Sequence, residues 1–96
     1  PAVKRVAVEL ASVPPRIVID VALPAGVDAR AIDAFLVAED GGFIPLPGRE
    51  AVAATGMMRL VVDLSKDVDL KDLRGKTVFA TVTSPDGASE IAIAVK

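Results

Sequence analysis

The sequence contains no cysteine, histidine, tryptophan or tyrosine, and only three of its 96 residues are aromatic. The absence of cysteine and histidine excludes thiol redox chemistry, Cys or His nucleophiles, serine–histidine–aspartate triads and the usual zinc and copper ligands. Catalysis would have to come from carboxylates, lysine, arginine, serine or threonine. We therefore expect a protein that is not an enzyme and that holds no cofactor.

The chain also lacks a strong excess of either charge and a long apolar run. Its net charge is −2, from 13 acidic and 11 basic residues. The chain therefore lacks the excess of basic residues that attracts nucleic acid or an anionic membrane. Every apolar run is shorter than the roughly 18 residues of a membrane span. We expect no nucleic-acid partner and no direct membrane insertion. Because the chain begins at Pro1 with no initiator methionine and no signal-peptide pattern, we interpret residues 1–96 as a single domain, either excised from a larger protein or a processed product.

Aliphatic residues are abundant, since hydrophobic residues make up 52% of the chain. Valine and isoleucine favour strands, and the hydrophobic residues recur with a period of two, as in half-buried strands. In the segment 16–23, for example, Ile17, Ile19 and Val21 share one face. The pattern predicts about seven short strands, which begin near residues 4, 16, 33, 43, 58, 76 and 89.

Two segments leave alternatives open. Residues 31–39 suit a short amphipathic helix as well as a strand, and we favour a strand over 33–39 because Asp40-Gly41-Gly42 follows it. An acidic-Gly-Gly turn before the extended residues 43–46 predicts a hairpin. Residues 48–56 suit either a helical turn or a loop that crosses between sheets.

Turn residues complete the predicted architecture. Asp28 is placed to cap a helical turn, and residues 65–75 resemble a single helical turn ended by Gly75. Residues 76–83 and 89–95 form the clearest hairpin. A strand, one helical turn and a final hairpin are the layout of the last three strands of an immunoglobulin-like sandwich. The sequence thus predicts an all-β, immunoglobulin-like β-sandwich of about seven antiparallel strands.

Four acidic residues near the predicted helical turn are the best metal candidates, because Ca²⁺ prefers several oxygen ligands. They are Asp63, Asp67, Asp69 and Asp72. Lysines lie among them, so the favoured interpretation is that these acids cap and solvate the turn. Whether the Asp67, Asp69 and Asp72 run binds Ca²⁺ stays open at this point.

Three further candidate sites, one for Cu(I) and two for a pair of catalytic carboxylates, have weaker support in the sequence. Met57 and Met58 offer soft sulfur ligands for Cu(I), but neighbouring strand residues point to opposite faces, so one of the two belongs to the core. Nothing in the sequence brings two carboxylates to the separation that a glycosidase needs. The possible carboxylate pairs are Asp33 with Glu39 and Glu50 with Asp63.

An apolar segment is the candidate binding surface. Phe43, Ile44, Pro45 and Leu46 are consecutive, and the prolines favour an edge strand or an irregular one. We name residues 43–46 the docking strip. If it is exposed, it is a docking site for another domain, since edges and apolar patches recruit partners. In the alternative, Phe43 and Leu46 fill the core of the sandwich.

Several strings, most of them at turns and strand edges, resemble those of a known family. They are Leu23-Pro24-Ala25-Gly26-Val27, Glu39-Asp40-Gly41-Gly42-Phe43-Ile44-Pro45-Leu46-Pro47-Gly48-Arg49-Glu50, Val62-Asp63-Leu64-Ser65-Lys66, Leu73-Arg74-Gly75-Lys76-Thr77-Val78 and Thr83-Ser84-Pro85. The chain resembles an immunoglobulin-like periplasmic module in the amino-terminal region of bacterial membrane thiol:disulfide interchange proteins of the DsbD kind, especially the copper-tolerance branch called ScsB.

The resemblance implies a periplasmic location and a cysteine pair that passes electrons to partner oxidoreductases. This chain has no cysteine, so no redox residue carries over. The resemblance then implies a companion domain that acts as a spacer or docking surface, with neighbouring domains of the parent protein or a thioredoxin-fold oxidoreductase as partners. The alternative is a standalone adhesin-type sandwich, or one that binds carbohydrate or Ca²⁺.

Overall fold

Seven strands make up most of the part of the chain that the computed structural model describes, residues 2–51 and 56–96. They are accompanied by a 3₁₀ turn at Ala29–Ala31 and a one-turn helix, α1, at Leu70–Leu73. Within these residues no helix is long and apolar enough to cross a membrane. The strands are β1 (Val3–Glu9), β2 (Arg16–Ala22), β3 (Asp33–Ala38), β4 (Gly48–Ala51), β5 (Met57–Asp63), β6 (Thr77–Ser84) and β7 (Gly87–Ala94).

The strands form two antiparallel sheets. The first has the order β1-β2-β5-β4 and the second the order β3-β6-β7. Constant-type immunoglobulin domains have this arrangement, with the first, second, fifth and fourth strands in one sheet and the third, sixth and seventh in the other. The predicted all-β, immunoglobulin-like sandwich is confirmed.

The core lies between the sheets and follows from the period-two pattern. On β2 the inward residues Ile17, Ile19 and Val21 are fully buried, as the alternation predicts. Each such side chain stabilises the fold by about 1.5–3 kcal/mol when it is removed from water. The facing sheet and the connections supply further buried aliphatic residues, namely Ile32, Leu36, Ile44, Val78, Ala80, Val82, Ile93 and Val95.

The predicted hairpin after β3 is wrong. The turn itself forms, since the Gly41 amide donates to the Ala38 carbonyl at 2.8 Å, but residues 43–47 are not a strand. The chain instead crosses to the other sheet, and β4 begins at Gly48. The physical reason is that Pro45 and Pro47 have no amide hydrogen to donate to a ladder, while Ile44 between the turn and Pro45 packs into the core.

The other local predictions are largely confirmed. Residues 33–38 form a strand with alternating burial and not a helix. Asp28 caps the 3₁₀ turn by accepting from the Arg30 amide, and α1 occupies one turn before Gly75, whose φ is 85°. For the segment 48–56 the prediction of a helical turn or a loop is wrong over residues 48–51, which are strand β4, and residues 52–55 lie outside the described residues.

The carboxyl-terminal hairpin is confirmed and is tighter than predicted. Strands β6 and β7 extend until Ser84 pairs with Gly87, so the loop is only Pro85-Asp86. Gly87 adopts a φ of 141°, which an L side chain rarely allows. This hairpin makes β7 the outermost strand of its sheet.

Candidate interaction surface

All three phenylalanines of the chain are exposed. The exposed fractions are 52% for Phe35, 65% for Phe43 and 38% for Phe79. Phe35 and Phe79 lie on the outer side of the three-stranded sheet, where Phe79 pairs with Val37 on one side and Ala92 on the other. We name the surface formed by Phe35, Val37, Phe79 and Ala92 the aromatic face.

The aromatic face arises because β3 is apolar on both sides. Its inward residues Ala34 and Leu36 are buried, and the residues between them would be polar if the outer face only met water. Phe35 and Val37 occupy those outward positions instead. From the sequence, residues 33–39 predict a strand, but the aromatic face was not predicted. The signal that could have found it is the second apolar series along one strand.

The docking strip is divided by the structure. Leu46 is 78% exposed and Phe43 is also exposed, whereas Ile44 is only 6% exposed and belongs to the core. The alternative in which Phe43 and Leu46 fill the core is therefore wrong, because Ile44 takes that place. Pro45 is half-buried. Leu46 and Phe35 line the same shallow pocket, so the strip continues into the aromatic face.

Arg49 closes the side of the sandwich beside this pocket. Its Nη2 donates to the Ile32 carbonyl and to the Asp33 carboxylate, both at 2.6 Å. Since Arg49 lies on β4 and Asp33 on β3, the guanidinium joins the edge strands of the two sheets. Charge-assisted hydrogen bonds of this kind are stronger than neutral ones, and they fix the position of the pocket.

The candidate carboxylate pairs do not come together. Asp33 and Glu39 are six residues apart along one extended segment, which is about 20 Å. In the register of β4 and β5, Gly48 faces Val61 and Glu50 faces Arg59, so Glu50 lies four positions from the level of Asp63, about 13 Å along the strands. Neither separation matches the roughly 5–10 Å of a glycosidase pair.

Two of the four candidate metal ligands, Asp63 and Asp69, accept hydrogen bonds from backbone amides. Asp63 accepts a hydrogen bond from the Ser65 amide at 2.8 Å, and hydrogen bonding to Ser65 lowers the pKa of this carboxyl. Asp69 caps α1 by accepting from the Lys71 amide. Among the residues that the structure describes, no three acidic side chains are grouped to hold a metal ion. Of the two methionines, Met58 is buried in the core and Met57 points to the other face.

The outer face of the four-stranded sheet carries a row of alternating charges that sequence reasoning missed. In register across the sheet, Arg5 faces Asp20, Asp20 faces Arg59, and Arg59 faces Glu50. Arg59 binds the buried Asp20 with two hydrogen bonds of 2.8 and 3.2 Å, and the Nη1 of Arg5 lies 3.6 Å from the same carboxylate. The hydrogen bonds from Arg59 lower the pKa of Asp20.

A second charge row crosses the same sheet about 13 Å further along. Arg16 lies between Glu9 and Asp63 in the register, and its Nε donates to the Glu9 carboxylate at 2.6 Å. The two rows give this outer face paired charges, in contrast to the aromatic face on the opposite sheet. Residue types alone could not reveal the rows, because they depend on the strand register.

No protein-family model matches the chain, and no curated protein matches its sequence.

Proposed function

We propose that this domain is a non-catalytic protein-interaction module, an accessory periplasmic domain of a bacterial membrane thiol:disulfide reductase of the copper-tolerance type. The observation that carries the proposal is the exposure of every aromatic residue of the chain. Large aromatic side chains bury much apolar area when they are covered, and they are enriched at the centres of protein interfaces.

The aromatic face has the layout of a small interface. Phe79, Val37 and Ala92 lie side by side across three strands, and Phe35 is one pleat away on the same face. Polar and charged residues, including Asp33 and Glu90, lie around them. An apolar centre with a polar rim is the usual anatomy of a protein interface.

The redox setting is supported by the resemblance of the turn strings and by the absence of cysteine. A domain without thiols contributes to electron transfer by holding a partner in place. We propose that the partner is a thioredoxin-fold oxidoreductase or a neighbouring domain of the parent protein. Leu46, which shares a pocket with Phe35, extends the surface that such a partner would cover.

Direct binding tests this proposal. The domain is titrated calorimetrically with the thioredoxin-fold oxidoreductase of its host and with the adjoining domain of the parent protein. Phe35→Ser and Phe79→Ser should each weaken binding by roughly tenfold or more, because central aromatic residues dominate interface energies. Val6→Ser is the matched control, since Val6 lies on the other sheet and is 38% exposed, as Phe79 is.

Two outcomes separate the alternatives. If neither protein binds, or if the phenylalanine variants bind as the wild type does, the proposal that the aromatic face binds a partner is wrong. Heat on addition of Ca²⁺ or of oligosaccharides would instead support the standalone ligand-binding sandwich.

A further inference from the structure

Strand β7 has one uncovered edge. It extends over eight residues, Gly87–Ala94, and pairs with β6 on one side. In the sheet order β3-β6-β7 it is the last strand, so within the described residues no strand pairs with its other side. A sheet edge of this length presents a row of backbone donors and acceptors to another chain.

The hydrogen-bond pattern shows which residues face outward. The Val95 amide donates to the Lys76 carbonyl at 3.0 Å. Because bonded pairs alternate along an antiparallel ladder, Ile93 and Ile91 also bond to β6 in the observed register. The backbone groups of Ala88, Glu90, Ala92 and Ala94 therefore point away from the sheet.

This edge lacks the features that protect edges in other proteins. Strand β7 contains no proline and no lysine, and its only charged residue is Glu90; Lys96 follows two residues after its end. By contrast, the β3 edge is obstructed at both ends, because Arg49 binds the Ile32 carbonyl and Ala38 bonds to the turn at residues 41–42. Proline, lysine and short length are the usual protections against strand pairing, and β7 has none of them.

We propose that the free edge of β7 pairs antiparallel with β7 of a second copy of this chain. One register satisfies both charge and backbone pairing. It places Glu90 opposite Lys96 of the second copy and Ala92 opposite Ala94, with Ile93 on the two-fold axis. The four residues of each copy that take part on the outer side of the sheet have small or oppositely charged side chains; they are Glu90, Ala92, Ala94 and Lys96. Opposite charges on facing residues stabilise a strand pair.

The inner side of the same register is apolar. Ile91, which is only half-buried in one copy, lies opposite Val95 of the second copy and gains burial there, whereas Val95 and the Ile93 residue on the axis already belong to the core of each copy. The contact uses the same patch on both copies and closes as a two-fold dimer. It joins the two three-stranded sheets into one six-stranded sheet and places the two aromatic faces side by side.

Charge exchange tests the proposed register. Sedimentation velocity over a wide concentration range should show a monomer–dimer equilibrium for the 96-residue chain. Glu90→Lys and Lys96→Glu should each weaken dimerisation by roughly tenfold or more, because each places like charges opposite one another twice. The double variant restores opposite charges and should dimerise as the wild type does. Lys66→Glu, an exposed loop change, is the control and should leave dimerisation unchanged.

A backbone variant tests strand pairing itself. Ala92→Pro removes an amide that points away from β6, so it should abolish the dimer while circular dichroism and the melting transition show a folded domain. A monomer at every concentration overturns the proposal, as does a dimer that is insensitive to the charge exchange. Phe35→Ser should leave the dimer intact, so failure of partner docking and failure of dimerisation are distinguishable.

Discussion

Asp20 is a buried acid on the outer face of a sheet, where water would ordinarily solvate a carboxylate. Two arginines from neighbouring strands take the place of that water, and Arg59 does so with two hydrogen bonds. A buried charge is stable only when it is paired in this way. Asp20 therefore links three strands of the four-stranded sheet through one side chain.

Replacing this carboxylate with an amide of the same shape should destabilise the domain. For Asp20→Asn we expect a loss of roughly 1–3 kcal/mol in the free energy of unfolding, because charge-assisted hydrogen bonds are lost while the arginines stay close together. Urea denaturation followed by far-ultraviolet circular dichroism measures it, since the chain has no tryptophan to report. Asp72→Asn on exposed α1 is the control, and equal losses for the two variants would contradict the role of Asp20.

The same carboxylate predicts a pH dependence. Hydrogen bonds from Arg59 hold the pKa of Asp20 below its usual value. The contribution of Asp20 to stability is therefore complete above the unfolded-state pKa of about 3.9. It is lost as the pH falls through the lower pKa of the folded state. The stability difference between wild type and Asp20→Asn should thus narrow below about pH 4. Asp28, Asp40 and Asp63 also have lowered pKa values, but they are common to both proteins and cancel. A difference that stays constant in acid would contradict this account.

At the scale of elements, most strands could be predicted because their inward residues alternate over at least six positions. Strand β3 and strand β5 are examples, with every second residue buried, whereas in β2 the outward Val18 and Asp20 are buried as well. Residues 43–47 could not be predicted in the same way. Their apolar residues fit an edge strand equally well, and the outcome depends on tertiary contacts, because Ile44 packs into the core and β4 pairs with the distant β5.

The crossing segment gives a contrast between neighbouring residues. Ile44→Ala should cost roughly 2–5 kcal/mol in the free energy of unfolding, because it leaves a cavity in the core. Phe43→Ala should change stability by less than about 0.5 kcal/mol, because Phe43 is exposed. Thermal denaturation of both variants checks this. A larger loss of stability for Phe43→Ala than for Ile44→Ala would show that Phe43, and not Ile44, packs into the core.

At the scale of the whole molecule, the two outer faces have opposite character. The four-stranded sheet presents charge rows that satisfy one another, as Arg16 and Glu9 do, whereas the three-stranded sheet presents the aromatic face. The sandwich was predicted from the sequence, but neither face was. The second apolar series of β3 was a signal for the aromatic face, whereas the charge rows depend on which residues the strand register brings opposite one another.

This asymmetry predicts one-sided binding of an apolar probe. Anilinonaphthalene sulfonate should bind the native domain at the aromatic face, because exposed contiguous apolar surface attracts such ligands. In a titration followed by amide chemical shifts, the shifts should concentrate on β3, β6 and β7, and Phe79→Ser should reduce both the shifts and the dye fluorescence. Val6→Ser should leave them unchanged. Shifts centred on β2 and β5 would contradict the prediction, because they would place the apolar surface of the molecule on the sheet that carries Asp20 and Arg59.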